Sequence, residues 1–158
     1  MKKMFTYQVF LKPPSSFNPT MEAAGCYCDC LDKLLLVKRQ SFKSQGNKWG
    51  VPGGKLEENE SPLAAVVREL REEVGLELSV DRVFKIKTLY IRLPPTDYIF
   101  HMFYTQLADL PSLALDLSEN QEACWSTLQE ALRLPLVAAG KEALLYYKSF
   151  LSLSKNSP

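Results

Sequence analysis

Glu69, Glu72 and Glu73 stand at i, i+3 and i+4 in the stretch VVRELREEVGL, so a helix there carries all three carboxylates on one face. Like charges at that spacing repel by about 0.2–0.5 kcal/mol per pair. Glu72 and Glu73 also meet the negative end of the helix dipole, where Lys or Arg is favoured. A helix selected for stability alone avoids this arrangement. Carboxylate oxygens gathered in this way suit a hard divalent cation such as Mg2+, which takes a few protein oxygens and keeps several waters. The acidity is local. Glu57, Glu58, Glu60, Glu69, Glu72 and Glu73 crowd residues 57–73, whereas the whole chain carries a net charge of +1.

The elements that must hold these groups can be read around them. Ser61 is a good N-cap, Pro62 fits the first helical position, and Gly75 suits the left-handed stop. Leu63, Val66, Val67, Leu70 and Val74 recur at helical spacing, so 62–74 is predicted as a helix with one buried face. Upstream, MFTYQVFL, AGCYCDC and KLLLVKR read as strands, the last two joined by a turn at Leu31–Asp32. KPPSSFNPT and QSFKSQGNK read as loops, and WGVPGG as a short tight element. Downstream, residues 77–93 and 97–108 read as a strand hairpin around a PPT turn, followed by a loop over 109–122 and a short strand ACWST. Helices are expected over 126–136 and 136–153, with a disordered tail at 153–158. Strands with helices between and after them predict an α/β sandwich, helices covering a mixed sheet.

Composition sets limits. The 158 residues, 46% hydrophobic and 23% charged, fit one soluble domain, 1–158, with a real core. The near-zero net charge gives no whole-protein field to recruit a nucleic acid polymer or a membrane. No apolar run approaches the roughly 18 residues of a membrane span, and MKKMFTYQVF lacks the pattern of a signal peptide. Cys26, Cys28 and Cys30 alternate, so a strand points them to one face. With Cys124 they read as small buried hydrophobes of a cytoplasmic protein.

Gly54, Glu60, Arg68, Glu69, Glu72, Glu73 and Gly75 are spaced G-x5-E-x7-R-E-U-x-E-E-x-G-U, with Leu70 and Leu76 at the aliphatic U positions. This resembles the Nudix box, complete over residues 54–76. A looser similarity runs from LLLVKR through KWGVPGG to ENQEACW. The resemblance implies an α/β/α sandwich with a loop–helix–loop catalytic motif. It also implies metal-dependent hydrolysis of a nucleoside diphosphate linked to another moiety, with Mg2+ as cofactor and Mn2+ as a substitute. Mapped onto the box, Glu69, Glu72 and Glu73 become metal ligands and catalytic groups, joined by the Gly53 carbonyl. Glu60 and Arg68 become a structural ion pair between loop and helix, and Gly53 and Gly54 let the backbone approach closely.

The chemistry agrees. Diphosphate and carboxylates are both anionic and need a cation between them; the cation offsets the helix penalty and acidifies an attacking water. In SENQEACW, Glu119 is favoured over Glu122 as a further ligand or general base, with Glu72 the competing base. Arg39 and Lys55 are candidate phosphate donors. Phe42, Tyr7, Tyr98 and Phe100 are candidate base platforms, and His101 reads as structural. The segment ENQEACW resembles MutT-type and dinucleoside-polyphosphate enzymes, so the expected substrate is a nucleoside triphosphate or similar small nucleotide. ADP-sugar or dinucleoside-polyphosphate hydrolysis, or a catalytically silent nucleotide-binding module, are the alternatives. The expected protein is a monomer or homodimer.

Only the folded helix gathers these carboxylates, so metal binding must stabilise the fold. The gain is about 2.7 kcal/mol at a hundred times Kd. Differential scanning fluorimetry should show Tm rising with Mg2+ or Mn2+ in the wild type. It should rise much less in Glu69→Gln/Glu73→Gln, with or without a non-hydrolysable nucleotide.

Overall fold

Alternation along one strand organises the molecule. Cys26, Cys28 and Cys30 point to one side, fully buried, and Tyr27 points to the other. A strand apolar on both faces must lie inside a sheet covered on both sides. The computed structural model describes residues 6–157. Strand β2 (Pro19–Cys30) runs parallel to β7 (Thr96–Leu107) from Pro19↔Asp97 to Cys30↔Leu107. Its other edge carries β5 (Gly53–Lys55) at Ala23–Gly25 and β3 (Lys33–Arg39) at Asp29–Cys30, both antiparallel. Beyond β7 come β6 (Phe84–Leu93) and β1 (Gln8–Phe10). Strand β3 also holds β4 (Trp49–Gly50) and β8 (Asn120–Ser126). The result is a mixed sheet of eight strands.

Helix α1 (Pro62–Val74) closes one face. Its Ala65, Val66, Leu70 and Val74 pack with the three cysteines, Leu35, Val37 and Phe103. Helix α3 (Gly140–Lys155) and the short α2 (Leu128–Ala131) close the other, over Tyr27, Leu34, Leu36, Leu89, Ile91 and Met102. Tyr27 stacks on Tyr147 of α3, ring centroids 4.9 Å apart. The expected α/β/α sandwich is the fold. Among the described residues no helix is long and apolar enough to cross a membrane.

The caps of α1 form as expected. Ser61 Oγ accepts from Ala64 N at 3.1 Å. Gly75 takes φ 74°, its N–H meeting Arg71 O while Leu76 N meets Leu70 O. The chain from 114 to 116 returns to the same end: Ala114 N donates to Val74 O and Asp116 N to Glu73 O, each at 2.9 Å. A Cβ at Gly75 would lie 2.8 Å from that of Ala114, so glycine is required twice over.

Four expectations change. Residues 77–83 are not strand: Val80–Arg82 is a 3-10 turn closed by Arg82 N to Ser79 O, and β6 starts at Phe84. The alternation of Glu77, Ser79 and Asp81 imitated a strand but has no partner strand to pair with. The helix expected over 126–136 shrinks to Leu128–Ala131. Pro135 cannot continue it, and the next residues leave for the sheet, where Trp49 N donates to Pro135 O and Val137 N to Trp49 O. The loop of 109–122 ends early, because β8 begins at Asn120. The tail from 153 is helical through Lys155, where serine hydroxyls such as Ser149 and Ser152 bond back to Leu145 O and Lys148 O along the exposed face. Met4 and Phe5 of the expected first strand, Met1 to Lys3, and Pro158 lie outside the described residues.

The β2–β3 turn carries a cost. Leu31 and Asp32 both take positive φ, 54° and 61°. Two-residue hairpins favour Asn-Gly there, and a side chain such as Leu pays roughly 1–2 kcal/mol in that region. Leu31 is 70% exposed and loses little burial on replacement. Leu31→Asn/Asp32→Gly should therefore raise Tm by about 2–4 °C per kcal/mol recovered, read by calorimetry.

Candidate active site

The acidic face of α1 is held by one guanidinium. Arg68 Nε donates to Glu60 Oε1 at 2.7 Å and its Nη2 to Glu60 Oε2 at 2.9 Å, a two-pronged pair. Arg68 Nη1 reaches Glu69 Oε1 at 2.9 Å and Glu72 Oε2 at 3.1 Å. Nη2 also reaches the Lys55 carbonyl at 3.1 Å. Glu60 takes Glu57 N at 2.9 Å, so the pair fastens the 55–60 loop to the helix. These hydrogen bonds, Arg68 first, hold Glu60 below the usual carboxylate range.

Glu73 is different. It is 7% exposed and, among the described residues, has no cationic partner. Gly53 N donates to its Oε2 at 2.8 Å, and Asn120 Nδ2 to its Oε1. Burial pushes its pKa up to about 7, against the lowering pull of those two donors and with help from the charges of Glu69 and Glu119. Burial also raises Glu69, against the pull of Arg68. A Cβ on Gly54 would overlap the Glu69 carboxylate, and one on Gly53 would overlap the Ala24 carbonyl of β2. The double glycine thus lets β5 pair with β2 while the Glu69 carboxylate of α1 packs directly against it.

Glu119 joins this group from the loop before β8. Its charge is felt by both Glu69 and Glu73, and its side chain, 47% exposed, pairs with Lys43. Glu122 is not part of it. It lies on β8 opposite Lys38, beside Cys124, whose thiol is raised by burial first and then by the Glu122 charge, and which packs against the core beneath α3.

A cleft of about 580 Å³ opens beside the acids, lined by Arg39, Lys55, Gly53, Gly54, Glu73 and Asn120, with Tyr98 and Phe100 on its apolar wall. Arg39 Nε is held by Ser44 O at 2.8 Å. Phe42 is not brought there: it stands 74% exposed on its loop, outside the lining. Tyr7 is also elsewhere, donating to Glu142 of α3. His101 is buried against Glu22 and Thr88, as a structural histidine.

The oxygens of Glu69, Glu72, Glu73 and Glu119 are the donor type a hard divalent cation takes. Among the described residues no three acid, histidine or cysteine groups already converge on a point. The chain's own cations account for this, since Arg68 draws Glu69 and Glu72, and Lys43 draws Glu119. The donor set fits the metal; its charge is carried meanwhile by an arginine and a lysine.

The model of the NUDIX domain matches residues 19–147. The chain belongs to the Nudix family. A CTP pyrophosphohydrolase of Escherichia coli (strain K12) is 32% identical over 126 residues, 80% of this chain and 87% of that one. The solution structure of the E. coli ORF135 protein superposes with TM-score 0.72 at 26% identity, covering 92% of this chain and 100% of that one. The crystal structure of a MutT Nudix hydrolase from Burkholderia pseudomallei gives TM-score 0.69 at 23% identity, covering 80% and 96%. The protein is thus a MutT-like Nudix hydrolase, a pyrophosphohydrolase of phosphorus anhydrides. Asn120 of this Nudix site was missed in the sequence. It opens a strand whose next residues, Gln121 and Glu122, are polar too, so no local signal set it apart.

Glu73 gives a pH signature. Its folded pKa, about 7, lies above the ordinary 4.5, so between those values the folded state binds more protons than the unfolded chain. Stability present at low pH is lost as pH rises through that window. In metal-free buffer the Tm of the wild type should fall relative to Glu73→Gln between pH 5 and pH 7.5. Parallel curves for the two proteins would assign the proton elsewhere.

Proposed function

We propose that this Nudix hydrolase is a metal-dependent nucleoside triphosphate pyrophosphohydrolase, releasing nucleoside monophosphate and pyrophosphate. The observation that carries the reading is the placement of Glu73 and Asn120 with Arg39 and Lys55 on one cleft beside the acidic face of α1. The E. coli relative, a CTP pyrophosphohydrolase, supports the substrate class. Glu69, Glu73 and Glu119, with the Gly53 carbonyl, would hold the divalent cation. When bound, the cation neutralises the pyrophosphate and lowers the pKa of the attacking water.

The chain's own groups do the rest. Arg39 and Lys55 bind phosphate oxygens as charge-assisted donors. Tyr98 and Phe100 offer the base an apolar wall that excludes water. Glu73 is buried and both its oxygens already accept hydrogen bonds, which favours a positioned ligand over a base that must reach the attacking water. Glu72 is 51% exposed and Arg68 binds only its Oε2. We assign Glu72 Oε1 as acceptor of the water proton, which takes Glu72 from the metal set to the base.

Two measurements test this. Nucleoside triphosphates, CTP among them, ADP-sugars and dinucleoside polyphosphates are incubated with Mg2+ or Mn2+ and the products weighed by mass spectrometry. Monophosphate and pyrophosphate from a triphosphate are expected, and no turnover of any of them would sink the reading. In Glu72→Gln, kcat should fall by about 10²–10⁴, the usual worth of a general base, while Mn2+ still raises Tm. Loss of the Tm response instead would return Glu72 to the metal ligands.

A further inference from the structure

The loop between β3 and β4 is tied down more heavily than its exposure requires. Gln40 N donates to Glu119 O at 3.0 Å and Gln40 Nε2 to Leu117 O at 2.7 Å. Gln121 Nε2 reaches both Arg39 O at 2.9 Å and Asn47 Oδ1 at 2.7 Å. Gln45 Oε1 accepts from Ala138 N on the far side. The Gln40 and Gln121 bonds join the loop to the 117–121 segment, which also carries Glu119 and Asn120. Their common effect is to fix the base of Lys43 beside Glu119.

Lys43 Nζ pairs with Glu119, and its charge also lowers the pKa of Asp116, after the hydrogen bonds from Ser118. Its side chain is only 25% exposed. An exposed ion pair on a free loop is worth little, but here the loop is braced before the pair forms. The partner, Glu119, is a carboxylate from outside α1 whose charge acts on both Glu69 and Glu73. Arg68 thus holds Glu69 and Glu72 on α1, and Lys43 holds Glu119. A divalent ion entering among them makes Lys43 redundant at Glu119. An ammonium so displaced keeps Asp116 as a neighbouring anion, and substrate phosphate is the further anion that it can turn to.

We propose that Lys43 is a phosphate-binding residue of this site, which neutralises Glu119 in the resting protein and turns to the substrate's phosphates when a divalent cation takes over Glu119. The inference rests on the metal-dependent reading above and adds an exchange of partners that nothing in the acidic motif contains. Lys43 competes with metal before substrate binds and assists substrate afterwards, so removing its charge acts in opposite directions on the two equilibria. A merely structural lysine would weaken both or neither.

The test uses the full chain and two readouts. Mn2+ binding without nucleotide is measured by titration calorimetry, and KM and kcat with the best triphosphate of the panel. In Lys43→Ala the Kd for Mn2+ should tighten several-fold, while KM rises by about tenfold, the order of one charge-assisted contact, with kcat changed less. Lys43→Arg should restore KM. Gln40→Ala, which loosens the loop but keeps the ammonium, should not tighten Mn2+ binding. Unchanged Mn2+ affinity and KM in Lys43→Ala, or the same double effect in Gln40→Ala, would overturn the assignment and leave the metal site standing. Wild-type protein that binds no Mn2+, with or without nucleotide, would overturn the metal reading and this one with it.

Discussion

A single guanidinium makes the acidic helix possible. Arg68 has donors for Glu60, Glu69, Glu72 and the Lys55 carbonyl at once. Lysine has no planar fork with which to do this. Without that hub, the carboxylates on α1 would repel each other at the end of the helix where the dipole also opposes them. With it, the loop before α1 is fixed, and β5 with its double glycine is held under Glu69. The position of the whole catalytic motif on the sheet therefore follows from one side chain satisfied on several sides.

The end of α1 shows a second constraint. A helix terminus leaves carbonyls without partners, and burying Glu73 and Val74 there forbids water from serving them. The 114–116 segment supplies the missing donors, two residues apart, to Val74 O and Glu73 O. The same segment leads directly to Glu119 and Asn120. The backbone that caps the helix thus delivers the last two polar groups of the site. Stability and chemistry share one stretch of chain.

How much of this was legible in the sequence depended on range. The caps of α1, its buried stripe, the acid spacing and the Glu60–Arg68 pair were readable because their partners lie within a few turns of chain. The cysteine alternation was readable because strand period is fixed by geometry. The parallel contact of β2 with β7 joins residues about seventy-eight apart, as Pro19 and Asp97 do, and no local pattern announces it. Glu77, Ser79 and Asp81 alternated like a strand, and only the absence of a neighbour decided otherwise. Pro135 signalled that α2 could not run to 136, but the helical periodicity of the residues before it hid the earlier stop at Ala131. Phe42 had the right chemistry for a base platform and the wrong place. Asn120 and Lys43 gained their roles from tertiary contacts alone, to Glu73 and Glu119.

The row of thiols beneath α1 has a further use. Cys26, Cys28 and Cys30 have no exposed surface, and Cys124 on the other face is partly open. Hydrogen bonding to Cys28, then burial, raises the Cys26 thiol, so its reactive thiolate is scarce in the closed state. An alkylating reagent reaches this trio only when the helical layer lifts off the sheet. Cys124 marks the reagent's access to a thiol under the other layer. Counting modified thiols against time in intact protein therefore clocks the breathing of the layer that carries the carboxylates, with no label introduced. The chain contains its own stopwatch for the motion of its active helix.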